Sequence, residues 1–187
     1  MKKIFFVLCL FTGAVYAQTP CPPYGSAKPG TLKYVMNIKK NRTDIPASYK
    51  VITVKDWLAM PEDSTGDGKA YQLTGGFVIK VKKMGPESCN CKNKNERDYH
   101  IVVVPAPEDA GNVAKYVIVE VTPRVKKLMN WKGEDIQKLQ DHYVDFYGRK
   151  FADVEHKNMS AKSNKNCKDC WRGTVNEIHP VMKWVVK

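Results

Sequence analysis

Hydrophobic and polar residues alternate along much of the chain after residue 70, and this alternation predicts β-strands. In the segment 71–84 (YQLTGGFVIKVKKM), Phe77, Ile79 and Val81 form one apolar face, and lysines occupy the opposite face. Four further segments are rich in the β-branched and aromatic residues typical of strands, and they are 99–107, 115–123, 143–156 and 171–186. We therefore expect five strands in this part of the chain.

The order of the predicted elements indicates the fold. Between the third and fourth strands, the apolar residues of 123–142 take the spacing of a helix, interrupted near Gly133. Three strands, a helix and two strands are the order of the OB-fold, a five-stranded Greek-key barrel. Gly75, Gly76 and Gly148 lie where the strands of a small barrel bend sharply. We predict an all-β, OB-fold-like barrel with one helix between strands 3 and 4.

The first 70 residues have a different character. Residues 1–17 have the charged start, short apolar run and small final residue of a cleaved signal peptide. The apolar run is too short to span a bilayer. Residues 18–70 are predicted as an N-terminal extension with short strand and helix elements, beginning with a Pro- and Gly-rich arm at 18–30, and residues 71–187 as the barrel. We expect a secreted or periplasmic bacterial protein with no transmembrane segment.

Five cysteines follow the predicted signal peptide. Four form the pairs Cys89-x-Cys91 and Cys167-x-x-Cys170, and Cys21 lies in the arm. Exported proteins keep disulfides, so the first interpretation is that disulfides join the two pairs and that Cys21 is the odd thiol. The alternatives are a tetrahedral zinc site with four thiolates, or a redox disulfide within the second pair.

A second group of candidates combines carboxylates with imidazoles. On two predicted strands an acidic residue lies two positions before a histidine, so that both side chains share a face. The group consists of Asp98, His100, His156, Glu177 and His179. Imidazole and carboxylate together suit zinc or manganese, and a metal-bound water hydrolyses phosphate esters. The alternative is that each pair only stabilises a loop or a strand end through hydrogen bonds.

Glu120 interrupts the apolar third strand. A carboxylate there must reach solvent or find a partner, and the candidate partners are Arg124, Arg149 and Arg172. In an OB barrel the third strand pairs with the fifth, which places Glu120 near the last strand.

The formal net charge is +12, and a basic exported protein attracts polyanions. OB barrels bind oligonucleotides or oligosaccharides across strands 2 and 3 and the adjoining loops. The candidate binding residues in the first hairpin are Lys80, Lys82, Arg97 and Tyr99. The alternative is a solvated basic surface. The chain has no G-x-S-x-G, no phosphate-binding glycine loop and no H-E-x-x-H.

Several short motifs together resemble a family of uncharacterised secreted bacterial proteins. They are GFV at 76–78, ESCNC at 87–91, RDYHI at 97–101, VEVTPR at 119–124, FADVEH at 151–156 and WRGTVNEIHPV at 171–181. The resemblance covers 37–185, and EIHPV is its most specific part. It implies an OB-fold-like barrel and no agreed activity. A more distant similarity is to staphylococcal-nuclease-like domains, but their Asp-Gly-Asp calcium motif is missing.

These observations favour a non-catalytic binding module. The expected ligand is a polyanion, either nucleic acid or acidic polysaccharide, or a protein partner. The first alternative is a metal-dependent hydrolase or nuclease that uses the acid–histidine group, and the second is a structural envelope protein. We expect no cofactor, with zinc as the alternative.

Overall fold

Residues 20–187 are described by the computed structural model, so the predicted signal sequence at 1–17 lies outside the described range. The helices are α1 (Leu32–Lys40), α2 (Val54–Ala59), α3 (Pro123–Leu128) and α4 (Gly133–Gln137). The strands are β1 (Lys50–Thr53), β2 (Ala70–Lys83), β3 (Tyr99–Val104), β4 (Val117–Val121), β5 (Tyr143–Ala152) and β6 (Asn176–Val186). In the described range, no helix combines the length and the apolar character needed to cross a bilayer.

Strands β2 to β6 form a closed barrel. Their order in the sheet is β2-β3-β4-β6-β5, and β5 pairs again with β2. The β4–β6 pair is parallel, whereas the other barrel pairs are antiparallel. This arrangement confirms the predicted all-β, OB-fold-like class, in which the first barrel strand pairs with the fourth and the third with the fifth. Strand β1 adds to the outside of β2 in parallel.

The barrel closes because β2 and β5 bend at glycines. The register of β2 with β5 shifts between Leu73 and Gly76, and Gly75 has φ +70°, a backbone conformation that strains other residues. On β5, a Cβ at Gly148 would lie 2.3 Å from the carbonyl oxygen of Pro180. Both predicted bends are therefore present, and at Gly148 the missing side chain lets β5 approach β6.

A second register shift in β2 changes which of its residues face the core. The shift lies between Val78 and Lys80. Val78 and Val81 are buried, whereas Ile79 is only partly buried and Phe77 packs against Tyr143 outside the core cluster. The prediction that Phe77 and Ile79 share a face with Val81 is wrong, because one extra residue reverses the alternation on one side of the bulge.

The N-terminal extension shares the core of the barrel. Trp57 of α2 is fully buried, its ring meets that of Tyr71 edge to face, and its indole N–H donates to the carbonyl oxygen of Asn176 at 3.0 Å. Helices α3 and α4 replace the single interrupted helix expected between the third and fourth barrel strands, and they bury Val125 and Ile136. The extension and the barrel therefore pack as one unit.

The disulfides differ from the predicted pairing. Cys21 is bonded to Cys91 and Cys167 to Cys170, whereas Cys89 is a buried free thiol. The prediction that the two cysteine pairs bond to each other, with Cys21 as the odd thiol, is therefore wrong. Two disulfides also use the thiolates that a four-cysteine zinc site would need. A redox disulfide within the second cysteine pair would require the Cys167–Cys170 bond, which is present. A redox role for this bond stays a prediction.

The physical reason lies in the arm at 18–30, whose described part is not a free linker. The Ser26 backbone N–H donates to the carbonyl oxygen of Ser88 at 2.8 Å, and the Asn41 amide donates to the carbonyl oxygen of Cys89 at 2.7 Å. The arm and the end of α1 thus lie against the loop between β2 and β3. This packing brings Cys21 to Cys91, a contact between residues 70 positions apart.

Candidate functional site

The outer face of the barrel carries a row of polar side chains that other parts of the chain cover. His100 on β3 lies opposite Glu120 on β4, and side chains alternate along a strand. Their neighbours Ile101 and Val119 belong to the apolar core, so His100 and Glu120 point away from it. Glu120 is nevertheless only 1% exposed, because α1 and the loops at 84–98 and 153–175 lie over this face.

A buried polar cluster forms there. Its members are Lys40, Asp98, His100, Glu120, Asp153, Arg172, Glu177 and His179, and Glu87 and His156 lie at its edge. Its four carboxylates Asp98, Glu120, Asp153 and Glu177 are each at most 1% exposed. Buried carboxylates are costly unless each is paired or bound to a cation, so the partners of each one decide what the cluster does.

Two histidines contact Glu120. The Nε2 atom of His100 lies 2.9 Å from one carboxylate oxygen of Glu120, and the Nδ1 atom of His179 lies 3.2 Å from the other. The same Nδ1 lies 3.2 Å from Glu177. None of the three arginines expected to pair with Glu120 does so, because Arg124 donates to the carbonyl oxygen of Pro22, Arg149 to that of Gly68, and Arg172 pairs elsewhere.

Arg172 neutralises the other two carboxylates. Its NH1 atom lies 2.6 Å from Glu177 and 3.1 Å from Asp153, and its guanidinium stacks 3.8 Å from the centroid of the Trp171 ring. His156 contacts Asp153 at 2.6 Å from the exposed side. A continuous chain of ion pairs therefore runs from His156 through Arg172 to the two histidines on the strands.

Asp98 is the exception, because it makes no ion pair with any residue in the described range. It accepts a hydrogen bond from the Asn90 amide at 3.0 Å and one from the Cys89 thiol at 3.7 Å. One ligand atom each of Asp98, Glu120 and His179 lies within 4.8 Å of the other two. Two buried carboxyl groups therefore face one histidine in this part of the cluster.

Burial is the largest influence on each shifted pKa in the cluster, and it disfavours the charged form. It raises the pKa of Asp98, with a neighbouring carboxylate adding to the effect, and raises the pKa of Glu120 well above its usual value. For Glu177, the guanidinium of Arg172 together with His179 and Lys40 outweighs burial, and the pKa is lowered. The Asp98 and Glu120 sites thus resist negative charge, whereas the Glu177 site favours it.

The pKa values of the basic side chains in the cluster are also shifted in opposite directions. Burial lowers the pKa of His100. At His179 the carboxylates of Glu120 and Glu177 together outweigh burial, and the pKa is raised. Lys40 on α1 is also buried, but Glu120 and Asp153 raise its pKa well above the usual value. Lys40 therefore remains charged and offsets part of the negative charge of the carboxylates.

Two cavities adjoin the cluster. The acid–histidine cavity, about 410 Å³, is lined by Lys33, Lys40, Glu87, Lys92, His100, Glu120, Asp153, His156 and Trp171 among others. The lysine cavity, about 550 Å³, is lined by Lys80, Lys82, His100, Val102, Tyr116, Ile118, Cys170 and Trp171 among others. The two meet at Met84, His100 and Trp171. Both have the volume of a ligand pocket.

The strand register places both cavities on one face. One row of side chains across β2, β3 and β4 consists of Lys82, His100 and Glu120. The neighbouring row on the same face consists of Lys80, Val102 and Ile118. The loops at 84–98 and 153–175 border these rows. The second and third barrel strands, here β3 and β4, and these two loops form the surface that OB-folds use for ligands. Both cavities border this surface.

The structure brings most of the predicted acid–histidine group together. Asp98, His100, Glu177 and His179 lie within the cluster. His156 lies at its edge and is connected to His179 only through Asp153, Arg172 and Glu177. Sequence analysis did not identify Lys40, Asp153 and Trp171 as site residues. Asp153 and Trp171 belong to two of the motifs quoted above, whereas Lys40 on α1 has no sequence signal that connects it to the barrel.

The predicted binding residues divide differently. Lys80 and Lys82 line the lysine cavity, whereas Arg97 lies outside both cavities and donates to the carbonyl oxygen of Lys94. Tyr99 is 6% exposed and belongs to the apolar core, so the prediction that it binds ligand is wrong. Tyr99 alternates with His100 and therefore points inward. Trp171 provides the aromatic surface instead.

Comparisons of the chain with protein-family models, with curated proteins and with solved structures found no match. The resemblance to a family of secreted proteins therefore stays a prediction. The fold and the site define the class of protein as an OB-fold-like barrel with a buried acid–histidine cluster beside a lysine-lined cavity.

Proposed function

We propose that this protein binds single-stranded nucleic acid in the lysine cavity. The observation that carries the proposal is the composition of that cavity. Its lining contains Lys80 and Lys82 and the rings of Tyr116 and Trp171, and none of the described residues that line it carries a carboxylate. Lysines attract phosphates, and aromatic rings stack on unpaired bases. An acidic polysaccharide would use the lysines but would gain little from the rings.

The acid–histidine cavity is less suited to the polymer backbone. Glu87, Glu120 and Asp153 line it, and carboxylates repel phosphates. The bound strand is therefore expected to follow β2 and β3 past Lys80 and Lys82, and to approach the cluster only at His100 and Trp171. The net charge of +12 adds a general attraction for polyanions.

We also propose that the protein works outside the cytoplasm. Two disulfides support this location, because disulfides persist in oxidising compartments. The signal-like sequence of residues 1–17 supports it as well.

The test is fluorescence anisotropy with a labelled single-stranded oligonucleotide at several salt concentrations. Replacing Lys80 and Lys82 with alanine should weaken binding by roughly tenfold and should reduce the salt slope by about 1.4, since each phosphate contact contributes about 0.7. Trp171→Leu should weaken binding by about tenfold through lost stacking. The matched control replaces Lys55 and Lys138, two exposed lysines outside both cavities, with alanine.

Equal losses in the Lys80/Lys82 and Lys55/Lys138 variants would show that binding is only a property of the overall charge. Heparin that binds more tightly than the oligonucleotide, with no effect of Trp171→Leu, would replace nucleic acid with an acidic polysaccharide as the ligand. A protein that retains neither polymer at low salt is not a polyanion-binding module.

The second candidate function is a metal-dependent phosphodiesterase. One observation favours it: His100 and Trp171 line both cavities, so a strand in the lysine cavity would lie beside the acid–histidine group. Incubating the oligonucleotide with the protein and Mn²⁺ or Zn²⁺ tests this function. Cleavage that chelation and Glu120→Gln both abolish would establish the phosphodiesterase function. An oligonucleotide that stays intact would contradict it and leave binding as the only proposed function.

A further inference from the structure

One part of the buried polar cluster contains a carboxylate, Asp98, that the ion pairs do not account for. Arg172 pairs with Glu177 and Asp153, but Asp98 has no ionic partner in the described range. Asp98, Glu120 and His179 each place one ligand atom within 4.8 Å of the other two. Ligands about 2.1 Å from a tetrahedral metal ion lie about 3.4 Å apart, so shifts on the order of 1 Å would close the group around an ion.

The charges favour a cation at this position. Asp98 is fully buried and Glu120 is 1% exposed. Burying a carboxylate is costly unless the carboxylate is paired or bound to a cation. Glu120 contacts His100 and His179, whereas Asp98 accepts hydrogen bonds from the uncharged donors Asn90 and Cys89. A cation between Asp98 and Glu120 would give Asp98 the ionic partner that it lacks among the described residues.

His179 provides an independent indication of a cation. Its Nδ1 atom lies 3.2 Å from Glu177, in position to donate a hydrogen bond. The Nε2 atom is then the acceptor nitrogen, and it is buried without a hydrogen-bond partner among residues 20–187. Histidines that bind metals typically donate their other ring N–H to a carboxylate, which fixes the ring and leaves the second nitrogen for the metal.

We propose that Asp98, Glu120 and His179 bind one divalent transition-metal ion. Two carboxylates and one imidazole suit Zn²⁺ or Mn²⁺. This ligand set differs from the group expected from sequence, because it includes Glu120 and leaves out His100, His156 and Glu177. His100 at 2.9 Å and Glu177 at 3.2 Å act as positioning residues, which orient Glu120 and His179 respectively.

A competing group shares one of these ligands. Glu87, Cys89 and Asp98 also place ligand atoms within 4.8 Å of one another, but the thiol of Cys89 donates to Asp98 at 3.7 Å. Burial raises the pKa of this thiol, which opposes the thiolate that a metal requires. Cys89→Ser therefore separates the two groups by experiment, because it removes a ligand only from the second one.

The experiment uses full-length protein stripped with a chelator and dialysed, with no nucleic acid present. Titration with Zn²⁺ and with Mn²⁺, followed by calorimetry and by elemental analysis of the gel-filtered protein, should show one ion per chain for at least one of the two metals. Asp98→Asn and His179→Gln should each weaken binding by at least about 100-fold. His156→Gln and Cys89→Ser should bind as tightly as the original protein.

Thermal unfolding of the protein without substitutions provides a second test. This test does not depend on variants of buried residues, which could fail to fold. The preferred metal should raise the melting temperature in a concentration-dependent way, and His156→Gln should show the same rise. A protein that retains no stoichiometric metal and shows no rise overturns the proposal. Loss of the metal in Cys89→Ser overturns the ligand assignment. Neither outcome affects nucleic-acid binding, which is measured without metal.

Discussion

Arg172 shows what a single residue contributes to the site. Its side chain is fully buried between Asp153 and Glu177 and lies on the Trp171 ring. A buried ion pair adds little net stability over an apolar pair, but removing one partner leaves the other charge unpaired. The arginine therefore holds two carboxylates in place rather than increasing stability by itself.

Arg172→Met should lower the free energy of unfolding by about 3–5 kcal/mol, because it leaves Asp153 and Glu177 buried without their cation. Urea denaturation measures this change. The double variant Arg172→Met with Glu177→Gln should recover part of the loss, and Arg97→Met, outside the cavities, is the control. A loss no larger than that of the control would show that the carboxylates find other partners.

At the same scale, sequence spacing identified some site residues and missed others. Glu177 and His179 are two positions apart on β6, and Asp98 directly precedes β3, two positions before His100, so the shared face of each pair follows from local geometry. Lys40 and Trp171 reach the site from a helix and a loop that no periodicity connects to these strands. Because side chains alternate along β3, His100 lies on the outer face with the cluster, whereas Tyr99 lies in the core.

At the scale of elements, the contact between β5 and β6 depends on Gly148. A Cβ there would lie 2.3 Å from the Pro180 carbonyl oxygen and 2.5 Å from a methyl group of Ile178. Gly148→Ala should therefore destabilise the protein by about 2–3 kcal/mol through overpacking against backbone. Gly85→Ala is the control, because a Cβ there meets nothing within 4 Å. Equal denaturation midpoints for the two variants would contradict the close approach.

Asp145 on β5 contacts both the bulge of β2 and Lys187. Its carboxylate accepts hydrogen bonds from Thr74 at 2.9 Å and from the backbone N–H of Gly75 at 3.1 Å, and it pairs with Lys187 at 2.8 Å. Burial is the largest influence on its pKa and would raise it, but the hydrogen bonds from Lys187, Gly75 and Thr74 together lower it. The folded protein therefore favours the ionised form.

Because the pKa of Asp145 is lower in the folded than in the unfolded protein, its stabilising effect is present above about pH 3.9, the ordinary value, and is lost as the pH falls below it. Asp145→Asn should cost about 2 kcal/mol at pH 7, and this cost should shrink between pH 4 and pH 2. Urea denaturation of both proteins across this range measures it. A cost that stays constant with pH would mean that ionisation of Asp145 is not responsible.

At the scale of the whole molecule, the two disulfides have different effects. The Cys21–Cys91 bond links residues 70 positions apart and joins the N-terminal arm to the loop beside the site, whereas Cys167–Cys170 spans 3 positions. In the chain-entropy model, a long closed loop stabilises the folded state more than a short one.

Replacing Cys21 and Cys91 with serine should lower the free energy of unfolding by about 4 kcal/mol, and replacing Cys167 and Cys170 by about 2 kcal/mol. Urea denaturation without reductant compares the two double variants, and each serves as the control for the other. A larger loss from the Cys167/Cys170 variant would contradict the entropic reasoning.

The sequence by itself determined the element types, their order and hence the barrel class, because strand alternation, helix spacing and bend glycines are local properties of the chain. Only the tertiary structure decided the disulfide partners, the reversal of faces at the bulge of β2, and the gathering of Lys40, Asp98, Glu120, Arg172 and His179 into one cluster. These outcomes depend on how α1 and two loops pack over the outer face of the barrel. Such packing joins residues far apart in the chain, and no spacing along the sequence encodes it.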